Sequence, residues 1–379
     1  MQHYHYIFTG SGLSALMTVY EMVASGKFND KTILLIDKEA KKNNDRTWCF
    51  WDENHLFENI VSKKWNTALF ADKNGKREFS LEPYQYKMIK GPDFYRLVFE
   101  TISSQPNIHF ANQQVTDFRE LGNHCVVKTD TQNYTCNKVF NSILNAELVK
   151  TQAKFPFLQQ HFVGWFIKSS EAVFRPDCAT FMDFSVGQKG NTRFMYVLPI
   201  SETEALVEYT LFSKDLLPKE AYETEIQNYI EELGITNYEL LEKEQGNIPM
   251  TPYPFWKHNT KNIINIGTAG GWTKASTGYT FKNTVKKSKA LVQSLGTGTD
   301  FTKFHKKDRF WFYDLLLLDI LSRRNDLGVT IFSALFKKAD TGLVFKFLDE
   351  ETSFAEDLKV IWKCPKSLFM KSLLRRIFG

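Results

Sequence analysis

YHYIFTGSGLSALMTVYEMVASGKFNDKTILLID, residues 4–37, decides the fold. Residues 4–9 are a β-rich apolar run, broken by Gly10-Ser11-Gly12. Leu13, Leu16, Met17 and Tyr20 then recur at helical spacing, Gly26 predicts the helix stop, and residues 32–37 read as a second strand. At the strand-to-helix turn, Gly10-Ser11-Gly12-Leu13-Ser14-Ala15 matches G-x-G-x-x-G/A. The first glycine permits the tight turn, the second lets the backbone approach a pyrophosphate, and Ala15 keeps the helix close to the sheet. An anionic phosphate is favoured at such a helix N-terminus, beside Leu13 and Ser14, by free N–H groups and the helix dipole. Asp37 closes the second strand where an acid binds ribose hydroxyls. The bland alternative is an ordinary glycine-rich βα turn. Strand, helix, second strand and acid, all in place, favour a dinucleotide site.

The chain downstream keeps to that grammar at first. Residues 92–105 predict a helix with Pro92 at its start and Phe94, Leu97, Val98 and Ile102 on one face. Short strands are expected around 107–118, 124–129 and 139–144. From Phe155 to about Glu244, alternating strands predict an antiparallel sheet inserted into the first unit. NIINIGTAGG, residues 262–271, returns to strand-glycine-helix order, and the chain after Phe301 reads as mostly helical. One nucleotide unit at the start and a second glycine segment much later point to FAD rather than NAD. Gly267, Ala269, Gly270 and Gly271 would cover the ribityl chain and pyrophosphate.

Composition narrows the function classes. The hydrophobic fraction is 43% and the charged fraction 24%, those of a folded globular chain. The 33 Phe, 15 Tyr and 8 Trp exceed what most cores use, and a long apolar ligand site would absorb the surplus. A net charge of +5 is too mild to imply nucleic acid, and no zinc-finger spacing accompanies it. The five cysteines form no C-x-x-C and read as reduced thiols of a cytoplasmic protein. The N-terminus lacks the features of a signal peptide, and no run approaches the length of a membrane span. The histidines show no metal-ligand spacing, so no metal is expected, and there is no G-x-S-x-G elbow.

RFMYVLPISETEALVEYTLFS, residues 193–213, predicts a β-hairpin turning at residues 201–204. On its second arm Leu206, Glu208, Thr210 and Phe212 share one face. Either that face is wet and Glu208 is ordinary, or it lines an apolar cavity and Glu208 is a tuned acid. Periodicity alone does not choose.

Several segments, in order, resemble the bacterial lycopene β-cyclases. NDRTWCFWDE (44–53) is similar to that family's Asn-His-Thr-Trp-Ser-Phe segment, and FMDF (181–184) to its Met-Asp element. The hairpin resembles its Pro-Leu-Ser…Ile-Glu-Asp hairpin, with Glu208 keeping the first acid and Tyr209 replacing the second. IPMT (248–251) and GTAGGWTKASTGYTF (267–281) resemble its Ile-Pro-Ile and Pro-Thr-Thr-Gly-Tyr-Ser segments, with Ala275-Ser276 at the Pro-Thr site. Residues 141–145 lack its Asp-x-Arg-Gly.

The resemblance implies cyclisation of the ends of lycopene to β-ionone rings, giving γ- and β-carotene without net redox change. It also implies reduced FAD, with NAD(P)H as electron donor. That chemistry needs a dry, protonated acid against an alkene. Glu208 is expected in that role, as acid and base, with Asp183 as a secondary candidate. Arg46 would neutralise pyrophosphate. Trp48, Phe50, Tyr196 and Tyr279 are the substrate-binding candidates, the aromatics after Arg46 either lining a polyene channel or simply packing. Lys274 sits where a lysine would stabilise reduced flavin, or is solvated.

The expected fold is α/β, a two-domain FAD-binding Rossmann-type fold of the hydroxylase-like kind. Residues 1–150 and 245–300 form a discontinuous FAD-binding domain, 151–244 an inserted antiparallel substrate-binding sheet, and 301–379 a helical C-terminal region. The tail IWKCPKSLFMKSLLRRIFG (361–379) is apolar and basic without an acid, which reads as a helix on an anionic membrane surface. The expected location is the inner face of the cytoplasmic membrane. The rival readings are another FAD-dependent isoprenoid reductase or monooxygenase, and a non-catalytic flavin-bearing carotenoid carrier.

Overall fold

The computed structural model describes all residues except Ala40, Lys42, Asn43, Asp45, 296–299 and Gly379. The first strand, β1 (Gln2–Thr9), lies parallel between β2 (Ile33–Asp37) and the strand Asn133–Asn141. Ile108–Asn112 extends this sheet beyond β2, and the short strand Ile263–Asn265 pairs parallel with the end of Asn133–Asn141. A parallel sheet is covered on both faces, which is why Ile7, Phe8 and residues 33–36 are all buried. Helix α1 (Leu13–Ser25) ends at Gly26, whose left-handed φ of 65° lets its N–H reach the Val23 carbonyl. The helix expected at 92–105 spans Gly91–Ser103, and the strand expected at 139–144 ends at Asn141. Thr9, Asn141 and Asn265 form a side-chain ladder across three strands: Thr9 donates to Asn141 Oδ1 and Asn141 Nδ2 to Asn265, both at 2.8 Å. Asn141 takes this job at the strand end that lacks the family's Asp-x-Arg-Gly.

The second large sheet runs in the order Tyr238–Met250, Leu158–Ser169, Glu204–Ser213, Thr192–Pro199, Cys178–Asp183, Thr67–Asp72, Gly75–Ser80. All neighbours are antiparallel except Cys178–Asp183 with Thr67–Asp72. The sheet therefore takes in residues 67–80, which lie within the stretch 1–150 expected to belong to the FAD-binding domain, and it runs on past residue 244. That pairing is long-range, so nothing local announces it. Helix Lys219–Glu232 covers one face, packing Tyr222, Ile226, Tyr229 and Ile230 on Val207, Tyr209 and Leu211. The opposite face carries Leu206, Phe194 and Phe212 and packs against C-terminal helices through Ile331, Phe332 and Leu335. Both faces of Glu204–Ser213 are thus covered, and the alternation of the hairpin puts Glu208 on the side away from helix Lys219–Glu232. A three-stranded sheet of Thr47–Asp52, Gln85–Lys90 and Lys63–Trp65 completes the β structure.

Among the described residues five α-helices follow residue 308, beginning with Arg309–Arg323 and ending with Phe354–Ile361 and Lys366–Phe378. The tail helix is clasped to Arg309–Arg323: Ser372, Arg375 and Arg376 all converge on the buried carboxylate of Asp319, at 2.9, 2.6 and 2.8 Å. Its two arginines therefore neutralise a buried acid rather than forming a free basic stripe. Among the described residues no helix is long and apolar enough to cross a membrane.

Candidate functional site

The glycine turn forms as its sequence predicts. Gly10 has φ 93°, and a Cβ there would stand 2.3 Å from Ser142 Oγ, so only glycine fits between β1 and the end of Asn133–Asn141. Gly12 is the N-cap of α1 and provides no side-chain cap, and a Cβ there would meet nothing within 4 Å. The amides of Leu13, Ser14 and Ala15 have no carbonyl four residues back, so they are donors offered to a ligand. The late glycine segment lands on them. Gly267 has φ 60°, and a Cβ there would lie 2.5 Å from Ser14 Oγ. Ala269 and Gly270 continue the same short 3-10 turn, and Gly271 ends it in the left-handed region. Residues 10–15 and 267–271 thus close one cradle.

Beside it lies a cavity of about 370 Å³, lined by Gly10, Gly12, Asp37 and Lys41. Asp37 does two things there: Oδ2 accepts from Ser11 N (2.6 Å) and Ser11 Oγ (2.9 Å), shaping the turn, while the carboxylate still fronts the cavity. Open space over Gly12, uncapped amides and an acid at the neighbouring strand end fit the pyrophosphate and ribose of a dinucleotide.

A larger cavity, about 430 Å³, opens between this sheet and the second one. Arg46, Trp48, Tyr196, Glu208 and Tyr279 all line it. The side-chain oxygens of Gln160 and Thr277 are buried at its wall and find no hydrogen-bond partner among the described residues. Buried polar atoms are rarely left so, and two on one wall suit a ligand with polar edges. Tyr86 and Tyr196 sit beside Tyr279, and burial pushes all three phenols up, so they stay protonated.

Glu208 is buried. Its Oε1 accepts from Thr210 Oγ1 at 2.6 Å. Sheet register builds a row across four strands: Tyr196 opposite Glu208, Glu208 opposite Gly164, Gly164 opposite Glu244. With no side chain at 164, the two carboxyl groups come close enough for each to act on the other's protonation. A Cβ on residue 164 would lie 2.8 Å from Leu206 Cδ1 and 3.1 Å from Glu244 Cγ. Burial first, then the charge of Glu244, push Glu208 up to about 8. Glu244 is half-buried as a residue, and its carboxylate accepts from Thr47 Oγ1 at 2.7 Å. Two adjacent desolvated carboxylates cannot both ionise cheaply, so the pair holds a proton near neutral pH.

Three expected residues lie elsewhere. Asp183 is turned by a register shift toward helix Lys219–Glu232, where Tyr229 Oη (2.8 Å) and Ser185 N (2.8 Å) satisfy it. It is a structural carboxylate, each such charge-assisted bond contributing about 1.5–3 kcal/mol. Phe50 does not line the cavity but stacks on Phe281 with centroids 4.7 Å apart. Alternation in Thr47–Asp52 sends Thr47, Cys49 and Trp51 to the other side, where Trp51 packs edge-on against Tyr279 at 4.6 Å. Lys274 does not line this cavity and is not solvated. It is buried between Asp314 (3.3 Å) and Glu350 (2.9 Å), whose charges outweigh burial and hold it cationic.

Sequence reading missed Glu244, Thr47, Gln160 and Tyr86. Residues 242–247 are all polar or glycine, and only pairing with Leu158–Ser169 carries Glu244 inward. The one local signal is Glu244 sharing a face with Gly246 and Ile248.

A sequence model of the lycopene cyclase protein family matches residues 6–374. The chain belongs to the lycopene cyclase family. Among curated relatives, the lycopene beta-cyclase of Pantoea ananas is 24% identical over 293 residues, 73% of this chain and 71% of that one. The lycopene beta-cyclase of Paracoccus sp. (strain N81106 / MBIC 01143) is 26% identical over 226 residues. That match takes in 54% of this chain and 56% of the Paracoccus protein, so it spans little more than half the length of that relative. In architecture this lycopene cyclase family member is similar to a flavoprotein/dehydrogenase from Cytophaga hutchinsonii, with a TM-score of 0.65 at 13% identity, covering 98% of this chain and 99% of that one. The fold is that of the FAD-dependent flavoproteins.

Proposed function

We propose that this protein is a lycopene β-cyclase, converting the linear ends of lycopene to β-ionone rings by proton transfer, without net redox change. The observation that carries the reading is Glu208: a carboxyl kept protonated by burial, inside a cavity walled in part by aromatic side chains, in a chain of the lycopene cyclase family. Glu208 gives its proton to the terminal alkene, the cation closes the ring, and the carboxylate takes back a proton from the neighbouring C–H. An alkene is a poor base, so the acid works only where water is excluded. Trp48, Tyr196 and Tyr279 form the wall against which the polyene end lies. In this reading residues 1–150 with 245–300 hold the cofactor, and the sheet around 151–244, extended by 67–80, holds the polyene. FAD would be held by Gly10, Gly12, the amides of residues 13–15, Asp37, Arg46 and the turn 267–271. When bound and reduced at the expense of NAD(P)H, it supplies negative charge opposite the developing cation.

The test is purified protein with lycopene in liposomes, anaerobic, with dithionite-reduced FAD. γ-Carotene or β-carotene at unchanged mass is the expected product. A product two hydrogens heavier or one oxygen heavier would replace the reading with a reductase or monooxygenase, and bound but unaltered lycopene would replace it with a carrier.

Lycopene dissolves in lipid, and the C-terminal helices offer a face to reach it from the inner side of the cytoplasmic membrane. Phe354, Leu358 and Trp362 are exposed at helical spacing, as are Met370, Leu374, Ile377 and Phe378, the last at 81%. Lys359, Lys363, Lys366 and Lys371 are exposed among them. Apolar side chains ringed by lysines suit an anionic interface. Trp362→Glu should lower co-sedimentation with phosphatidylglycerol vesicles about tenfold, the loss of about 1.4 kcal/mol of apolar insertion. Unchanged binding would remove this face from the proposal.

A further inference from the structure

We infer that Glu244 is a positioning residue for the acid: through Glu208 it keeps one proton on the pair and draws that proton back after transfer. The inference rests on the cyclase reading for its chemistry, but its structural content is independent. Glu208 and Glu244 come from strands that are not neighbours in the sheet. They meet only because the strand between them, Leu158–Ser169, presents glycine at the one register position that separates them. Thr210 donates to one carboxylate and Thr47 to the other. The two acids thus stand on either side of Gly164 in one register row, and both line the cavity.

The charge balance follows. Before transfer the pair carries one proton and one negative charge. Delivery of the proton to the alkene leaves two carboxylates side by side opposite a carbocation. Loss of the C–H proton to Glu208 restores the starting state, so no external base is consumed. The doubly ionised pair is the least favourable form in a dry site, and it is relieved only by taking the proton back. Other titratable or charged groups face the pair. From the three-stranded sheet and the segment before it come Arg46, Cys49, Tyr86 and Lys90; Tyr196, Glu242 and Tyr279 are the others among the described residues. The tyrosines and Cys49 stay neutral, and Lys90 and Glu242 act on Glu244 in opposite directions. The nearest changing charge on Glu208 is therefore Glu244.

The experiment compares wild type, Glu208→Gln, Glu244→Gln and Glu244→Asp by two readouts. In pH-difference infrared spectra, the C=O band of a protonated buried carboxyl should be present in wild type and absent from Glu208→Gln. In Glu244→Gln it should titrate about one pH unit or more lower, and in Glu244→Asp it should return toward wild type. The alkaline limb of kcat/KM for lycopene should move to lower pH by the same amount in Glu244→Gln, with activity recovered at acid pH. A band that titrates identically with and without the Glu244 charge overturns the inference, whatever reaction the protein catalyses. A shifted band in a protein that leaves lycopene unchanged overturns the cyclase reading instead. Loss of Glu244→Gln activity at every pH, with the band unshifted, also overturns the inference and makes Glu244 a purely structural acid.

Discussion

Glu208→Gln is expected to lower ring formation by about 10²–10⁴-fold, the range for removing a general acid, while bound flavin and carotenoid remain. Glutamine keeps the shape and can still accept the 2.6 Å hydrogen bond from Thr210 Oγ1, so the substitution removes the proton and little else. Chromatography of carotenes from the reduced, anaerobic reaction checks it, and activity within about threefold of wild type would take Glu208 out of the mechanism. The same variant should change stability with a definite sign. A carboxyl whose pKa is raised in the folded state binds more protons folded than unfolded between about 4.3 and about 8. Stability therefore falls as pH rises through that window. Glu208→Gln should flatten this fall in denaturant titrations run across it.

Gly12→Val is expected to leave the fold intact and strip the protein of flavin. The backbone at Gly12, φ −76° and ψ −175°, is extended and open to valine, and a Cβ there touches no protein atom. The added atoms instead occupy the space over the amides of residues 13–15, where a pyrophosphate would lie. FAD affinity should drop by about 100-fold or more, the equivalent of about 2.7 kcal/mol, giving a colourless protein whose unfolding midpoint matches that of wild-type apoprotein. Gly10→Ala makes the contrast. With φ 93° and Ser142 Oγ at 2.3 Å, it should damage the apoprotein itself. A yellow Gly12→Val protein would move the cofactor away from this turn.

The nucleotide unit was legible because everything that makes it is local: an apolar run, two glycines, a helical stripe and an acid within residues 4–37. The shared face of Leu206, Glu208, Thr210 and Phe212 was legible for the same reason. Whether that face was dry was not. Dryness comes from helix Lys219–Glu232 covering the reverse side and from Tyr279 closing the front, both decided by tertiary contacts. Glu244 stayed hidden because its strand looks like a polar edge until Gly164 admits it. Asp183 is a secondary candidate that a register shift turns toward helix Lys219–Glu232, and Phe50 takes the packing one of its two readings because of the pleat of one short strand. The basic tail was half-read: its lysines are exposed as expected, while Arg375 and Arg376 are committed to Asp319.

The meeting of Gly267 with Ser14 has a bearing on how the chain is born. Residues 1–37 leave the ribosome early, but the turn that closes their cradle is made of residues 267–271, and the strand leading into it is Ile263–Asn265. Until that strand arrives, Val139–Asn141 presents a bare parallel edge, the kind of exposed pairing surface that sticks to other nascent chains. A completed cradle is thus a late event in synthesis. A cofactor bound in this cradle would therefore report that the chain through residue 271 has been made, not only its first strands and helix.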